Sequence, residues 1–351
     1  MTERITISRR TILKAGAGCM LASPYLTREA CADEKTIFVN SYGGVWETSW
    51  RKAFFDPFTA QSGIAIKTVP GVSFAKLKAE VTTGNYEFNE TNLGDSEYAQ
   101  AVQEGLLEKI DREAAKADSL PPNLVRDYGI VSYSLGTNIV YRKDKFPNGG
   151  PQNWADFWNV KKFPGPRCLF DRSFTCLAFA LIADGVPPDK LYPLDLDRAF
   201  RKMDEIKPHI TVWWHDGAQS QQLIRDGEVD MIGMWSARAQ DLIDDKVPLE
   251  IVWNGAELYW ANLVLPKGAP NAKAVWQFTN FVAQPQAQAN FAMLLPYGPA
   301  NPAARALIPE ARLRQTPAWP DNEKVMFQHD PAWLAPRLAQ IRERWTQWMT
   351  G

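Results

Sequence analysis

The sequence predicts an α/β protein of two lobes around a hinged cleft, and three observations carry that reading. Strand-like and helix-like segments alternate along the chain, a pattern that builds α/β layers with largely parallel sheets. Its 351 residues exceed what one hydrophobic core usually fills, so two domains are expected. Two extended segments, Thr137 to Arg142 and Val252 to Leu263, read as crossings between the domains. Strand ends from both lobes then face one crevice, which is where open α/β sheets hold ligands. A hinge of this kind closes around what it binds.

The elements follow in order. Thr36 to Asn40 is a short apolar strand, and Trp46 to Gln61 is an amphipathic helix stopped by Ser62-Gly63. Ile64 to Val69 is the next strand, followed by helices over Phe74 to Thr83 and Ser96 to Gly105. Tyr133 to Tyr141 is β-branched and aromatic, hence a strand. Arg167 to Phe170, Ile210 to Trp214 and Val229 to Trp235 read as strands between helices at Phe174 to Ala183, Asp195 to Lys207 and Gln219 to Asp226. Ser236 is a good N-cap for a helix running to Asp245. A strand, a Gly255 turn and a second strand fill the later crossing. No internal repeat or low-complexity tract interrupts the chain.

Composition narrows the function. An apolar share of 45% and a charged share of 23% exclude a disordered or collagen-like chain. Four scattered cysteines suit neither a disulfide scaffold nor a zinc module. Three histidines leave little material for metal or acid–base chemistry.

Residues 1–32 read as an export signal. Arg9-Arg10 precedes the uncharged stretch Ala15 to Leu26, and Ala30-Cys31-Ala32 supplies the small residues for cleavage before Asp33. The twin arginines resemble the address of the exporter for folded proteins. Arg28 and Glu29 spoil a lipobox at Cys31. Removing this segment takes five basic and two acidic side chains from totals of 39 and 40, which leaves a net charge of −4. A mildly acidic surface without a basic stripe argues against nucleic acid as a partner. The mature chain is expected in the periplasm, where Cys168 and Cys176 either pair or sit as small buried hydrophobes.

Several motifs, in order, carry a family resemblance. They are the opening Ile37 to Gly63, Glu104-Gly105-Leu106-Leu107 to Asp111, Asn153-Trp154 to Trp158, and Gly227 to Met231 leading into Gly233-Met234-Trp235-Ser236-Ala237-Arg238. Tyr259-Trp260-Ala261-Asn262 and Pro296-Tyr297 to Asn301 complete the set. Together they resemble periplasmic substrate-binding proteins of ABC importers in the spermidine/putrescine group, nearer to its γ-aminobutyrate-type members. The resemblance implies the type II two-lobed fold, with mixed sheets flanked by helices. It implies one lobe from 33–139 with 261–303 and a second from 140–260 with 304–351. It also implies a small-molecule ligand, a permease in the inner membrane, a monomer and no cofactor.

The cleft residues can be argued from chemistry. Arg238 lies in the first turn after Trp235, where a helix N-terminus and a guanidinium suit a carboxylate, unless Arg238 makes a surface ion pair instead. Tyr42, Trp214, Trp235, Trp260 and Tyr297 are candidate aromatic walls for an alkyl chain or an ammonium. Only one of Trp213 and Trp214 can face the cleft, since a strand alternates. Trp154, Trp158, Trp345 and Trp348 have helical spacing and read as packing. The resemblance puts an aspartate where Asn262 stands, and a second carboxylate a few residues after Asp171 where Phe174 and Thr175 stand. Losing both weakens the case for a diamine. The resemblance to γ-aminobutyrate-type members then implies a short ω-amino acid, with its carboxylate on Arg238 and the helix N-terminus and its amine meeting Asp171 or Asp95 and the tryptophan faces. Ser96, next to Asp95, is a further candidate contact. A polyamine ligand is the alternative.

An enzyme is the reading from another class. His209, His215 and His329 lack any nucleophile-elbow or metal-ligand spacing, and Asn148-Gly149-Gly150-Pro151 is a turn rather than a phosphate loop. His215-Asp216 is at most a weak acid–base pair. Similar lobed proteins hold ferric iron through adjacent tyrosines, which this chain lacks. Neither catalytic nor metal-ligating residues are assigned.

Overall fold

A computed structural model describes residues 35–351. The expected signal segment, residues 1–32, lies outside the described residues. The strands are β1 (Thr36–Ser41), β2 (Ala65–Pro70), β3 (Thr91–Gly94), β4 (Val125–Arg126), β5 (Gly129–Arg142), β6 (Arg167–Phe170), β7 (Ile210–Trp214), β8 (Met231–Trp235), β9 (Leu249–Val264) and β10 (Gly298–Pro299). β1 and β2 pair in parallel by themselves, and the larger sheet runs β3-β9-β5-β8-β6-β7, with β4 and β10 added to β5.

That sheet is mixed rather than largely parallel. β6 pairs in parallel with β7 and β8, but β5 runs antiparallel to β8 and β9, and β9 antiparallel to β3. Alternating elements favour parallel pairing only where a helix returns the chain to the same end of the sheet. β5 and β9 are instead long strands of 14 and 16 residues that pair from Ile130–Leu263 to Arg142–Leu249. The expected turn at Gly255 is a bulge inside continuous β9: Thr137 opposes Glu257 and Ile139 opposes Val252, so only Asn138 faces the extra residues. Gly255 takes φ 71° within the bulge, a backbone geometry few side chains tolerate.

Along β5 the hydrophobic environment changes. Ile130, Val131, Tyr133 and Leu135 join a cluster with Ile37, Trp46, Trp50, Phe278 and Phe291. Ile139 and Tyr141 join another with Trp154, Phe174, Phe179, Phe327 and Trp345. A third cluster, around Trp214, Ile224, Ile232 and Leu242, lies between β8 and its flanking helices. The first helix shows how sequence sets such packing. It runs as Gly44–Trp50, a π turn over Arg51–Phe55, then Asp56–Ser62, and Gly63 ends it at φ 74°. Trp46 and Trp50 stack at 4.5 Å, and the wider π turn lets both Phe54 and Phe55 bury. Each such aromatic contributes on the order of 2–3 kcal/mol.

The Ser236–Asp244 helix departs from expectation at its start. Trp235 occupies the N-cap position, and the Ser236 hydroxyl is buried without a hydrogen-bond partner. Cys168 and Cys176 are both free, and Cys176 donates its S–H to the Phe170 carbonyl at 3.0 Å. Among the described residues no helix is long and apolar enough to cross a membrane.

Candidate functional site

The carboxyl ends of β1, β6, β7 and β8 converge on one cavity of about 710 Å³. Ser41 to Gly43 line it beyond β1, Phe170 to Phe174 beyond β6, His215 to Gly217 beyond β7, and Trp235 closes β8. Tyr133 and Leu135 from β5, Tyr259 from β9 and Asn92 from β3 supply the floor. Side chains of both main hydrophobic clusters therefore meet at one space, and its position is the one strand-end geometry dictates.

Arg238 is the deepest charge. It is 1% exposed, and its Nη1 donates to Gln221 Oε1 at 3.1 Å. Gln221 is held in turn, its amide donating to Asp241 Oδ2 at 2.8 Å. The Arg238 Nε has no hydrogen-bond partner, and among the described residues no carboxylate pairs with the guanidinium. The backbone is cut back around it: a Cβ at Gly217 would lie 2.0 Å from Nε, and one at Gly44 3.4 Å from Nη1. A buried cation on the cavity wall, with no carboxylate paired to it among the described residues, suits a ligand's anionic group.

Aromatic rings form the walls. Tyr42 meets Trp46 and Trp235 edge-on at 5.4 and 6.1 Å. Tyr297 lies 4.8 Å from Tyr133. Burial raises the phenols of Tyr42 and Tyr133 well above their usual value. Tyr297 is raised by burial to about 12, with Arg238 pulling the other way. All three remain neutral hydrogen-bonding groups near neutral pH.

Two carboxylates on the wall differ in their surroundings. Asp171 accepts the Trp345 indole N–H at 2.6 Å on Oδ1, while its Oδ2 lies 3.4 Å from His215 Nδ1. Glu97 faces two cations, Arg172 at 3.4 Å and Arg342 at 3.6 Å. The Arg172 guanidinium sits 4.5 Å from the Phe174 ring and 4.7 Å from the Tyr259 ring. Asp216 is occupied as a helix cap, accepting from the backbone of Ala218 and Gln219 at 2.9 Å each.

Of the residues expected from sequence, Tyr42, Asp171, Trp235, Arg238 and Tyr297 line this cavity. Asp95, Ser96, Trp214, Trp260 and Asn262 do not. Asp95 pairs with Arg126 at 2.7 Å and accepts from Asn262 at 3.1 Å, and Ser96 is buried on the same helix. Asn262 also donates to the Leu93 carbonyl. Because Tyr259 faces the cavity, strand alternation turns Trp260 and Asn262 to the opposite face of β9. Trp214 is fully buried behind the wall, stacked on Phe170 at 4.2 Å, with its N–H on the Gly233 carbonyl at 2.8 Å. Trp213 packs on Trp345 and Trp348, so neither member of that pair reaches the cavity. Trp345, expected to serve packing alone, is on the wall. Sequence reasoning missed Asn92, Glu97, Arg172 and Tyr259. Asn92 is 2% exposed, with both side-chain amide atoms unpartnered. Arg172 follows the end of a strand already read as cleft-facing, which was the available signal.

Residues 53–326 match a family described as bacterial extracellular solute-binding protein. The gamma-aminobutyric acid-binding protein of Pseudomonas aeruginosa is 32% identical to the chain, over 91% of this chain and 92% of that protein. The solved structure of AgtB from A. tumefaciens R10 in complex with agropinic acid is 32% identical, with a TM-score of 0.85, covering 90% of this chain and 99% of that one. The Atu4243 GABA receptor is 33% identical, with a TM-score of 0.80, covering 90% of this chain and 97% of that one. These similar proteins are named as binding proteins and a receptor.

Proposed function

This chain belongs to the bacterial extracellular solute-binding proteins, and on that premise we propose that it captures a γ-aminobutyrate-like amino acid for an ABC importer. The single observation that carries the ligand class is the buried Arg238 on the cavity wall, with no carboxylate paired to it among the described residues. A ligand carboxylate completes that site. Asp171, whose neighbours include no arginine within ion-pair distance among the described residues, receives the amine. Tyr42, Trp235 and Tyr297 enclose the methylene chain. The similar proteins named for γ-aminobutyrate support this choice. A diamine would leave Arg238 buried beside a second positive charge, which is unfavourable.

Capture involves no chemistry. Ligand bridging two lobes favours the closed state by its differential affinity, and a permease in the inner membrane receives the closed form. We assign the lobes to 33–139 with 261–303 and to 140–260 with 304–351; the change of hydrophobic cluster between Leu135 and Ile139 supports that division. The twin-arginine segment supports export to the periplasm, and we infer a monomer.

Titration calorimetry with γ-aminobutyrate and putrescine tests the ligand. Binding of γ-aminobutyrate is expected, and Arg238→Ala should cost about 2–5 kcal/mol of its affinity. Tight binding of putrescine alone overturns the assignment, as does an Arg238→Ala effect below about 0.5 kcal/mol.

A further inference from the structure

Arg238 is not the only cation on the cavity wall. Arg172 and Arg342 also line it, and they converge on one carboxylate, Glu97. The three side chains come from separate parts of the fold. Glu97 lies in the helix Asp95–Gln103, which packs through Tyr98 and Ala101 on Phe74, Leu77 and Leu106. Arg172 precedes the helix Ser173–Ala183, whose Phe174 and Leu177 belong to the cluster around Trp154. Arg342 stands on the C-terminal helix Leu338–Thr350, one turn before Trp345. Glu97 thus reaches from one body of packing to two arginines rooted in another. Arg172 also lies against the Phe174 and Tyr259 rings, contacts that do not involve Glu97. Two guanidiniums on one cavity wall can together hold a carboxylate.

We propose that Glu97 is a specificity-determining residue that excludes dicarboxylates, by filling the Arg172–Arg342 site with the protein's own carboxylate. This inference rests on the reading that Arg238 takes the ligand's first carboxylate. A solute with a second carboxylate meets a site already occupied, so it loses the pairing that the two arginines would otherwise give. An amino acid with one carboxylate has no need of that site. The cavity is roomy enough for longer diacids, so shape alone does not exclude them.

The test is calorimetry of the full chain and of Glu97→Gln with γ-aminobutyrate, succinate, glutarate and adipate. The ratio of affinity for the best diacid to that for γ-aminobutyrate should rise about tenfold or more in Glu97→Gln. Glu97→Ala is a second variant with the same expectation. If all four ligands move by a common factor, or no diacid gains, Glu97 only ties the two sides together and the proposal fails. Arg238→Ala titrated with γ-aminobutyrate separates this failure from failure of the Arg238 reading. Lost affinity there with no diacid gain in Glu97→Gln overturns the Glu97 proposal alone; unchanged affinity overturns the role of Arg238 and the proposal with it.

Discussion

The Trp345 indole donates its N–H to Asp171 Oδ1 at 2.6 Å, so the C-terminal helix orients a carboxylate at the end of β6. Its ring is held by Trp213 at 5.4 Å and by Trp348 at 4.9 Å, so the donor has little freedom to turn away. Trp345→Phe keeps most of this packing and removes the donor. Affinity for γ-aminobutyrate should then fall about fivefold, the worth of one hydrogen bond near 1 kcal/mol. Butyrate, which lacks the amine, should bind both proteins alike. An equal loss for butyrate in calorimetry assigns Trp345 to packing.

Gly217 opens the helix Gly217–Arg225 directly beside Arg238. A methyl group there would lie 2.0 Å from Arg238 Nε and 2.5 Å from Cδ, well inside contact distance. Gly217→Ala should therefore displace the guanidinium while leaving the helix start capped by Asp216. The expected outcome is at least a tenfold loss of γ-aminobutyrate affinity, about 1.4 kcal/mol, with the thermal midpoint shifted by only a few degrees. Undiminished binding would mean that the Arg238 position is not used by the ligand.

Where the long strands cross, Glu257 is fully buried and accepts from Thr137 at 2.7 Å, from Thr175 at 3.0 Å and from His329 at 2.9 Å. Burial pushes its carboxyl up, but His329, Arg172 and Thr137 outweigh that and hold it at about 2, below the usual 4.5. A carboxyl with a lowered folded value contributes stability that is complete above 4.5 and disappears as pH falls from 4.5 toward 2. Urea unfolding should show the wild-type protein weakening through that window. Glu257→Gln should be less stable near pH 7 by about 3–5 kcal/mol, because the buried partners are left behind. Its pH dependence between 4.5 and 2 should be flatter; an unchanged slope would remove Glu257 from the account.

From β1 to β8 most of the order of strands and helices was legible, because each apolar run there is short, bounded by Gly, Pro or polar turns, and has one period; β3 and the helices Ala272–Val282 and Pro285–Leu294 were not read. The direction in which aromatic pairs face was not legible. Leu258-Tyr259-Trp260 carries rings on both faces of β9, so alternation alone cannot say which one meets the cavity. Trp213-Trp214 fails in the same way, since both faces of β7 are covered by packing. Arg238 was readable because it follows a strand end by a fixed short distance. Arg172 follows the end of β6 and carried the same signal, but Glu97 did not, since its partnership with Arg172 spans 75 residues and depends on how separate helices dock. The bulge at Gly255 shares this limit, because a lone glycine in a strand pattern reads equally as a turn.

Trp214 and Trp235 separate folding from binding within one ring pair. They meet edge-on at 5.4 Å, yet Trp214 is fully buried with its N–H on the Gly233 carbonyl, while Trp235 lines the cavity with its indole N–H unpartnered. Trp214→Phe removes a buried donor and leaves a gap against Phe170, so it should cost about 2–4 kcal/mol of stability. Ligand affinity of the folded fraction should stay near that of the wild type, since no Trp214 atom reaches the solute. Trp235→Phe should do the opposite: a smaller stability loss, about 1 kcal/mol, and a clear loss of affinity as one wall of the cavity recedes. Urea melts paired with calorimetry at a temperature where both variants are folded read the two effects separately. If Trp214→Phe weakens binding more than Trp235→Phe does, the ligand lies behind the Phe170–Trp235 wall and the cavity described above is not its site.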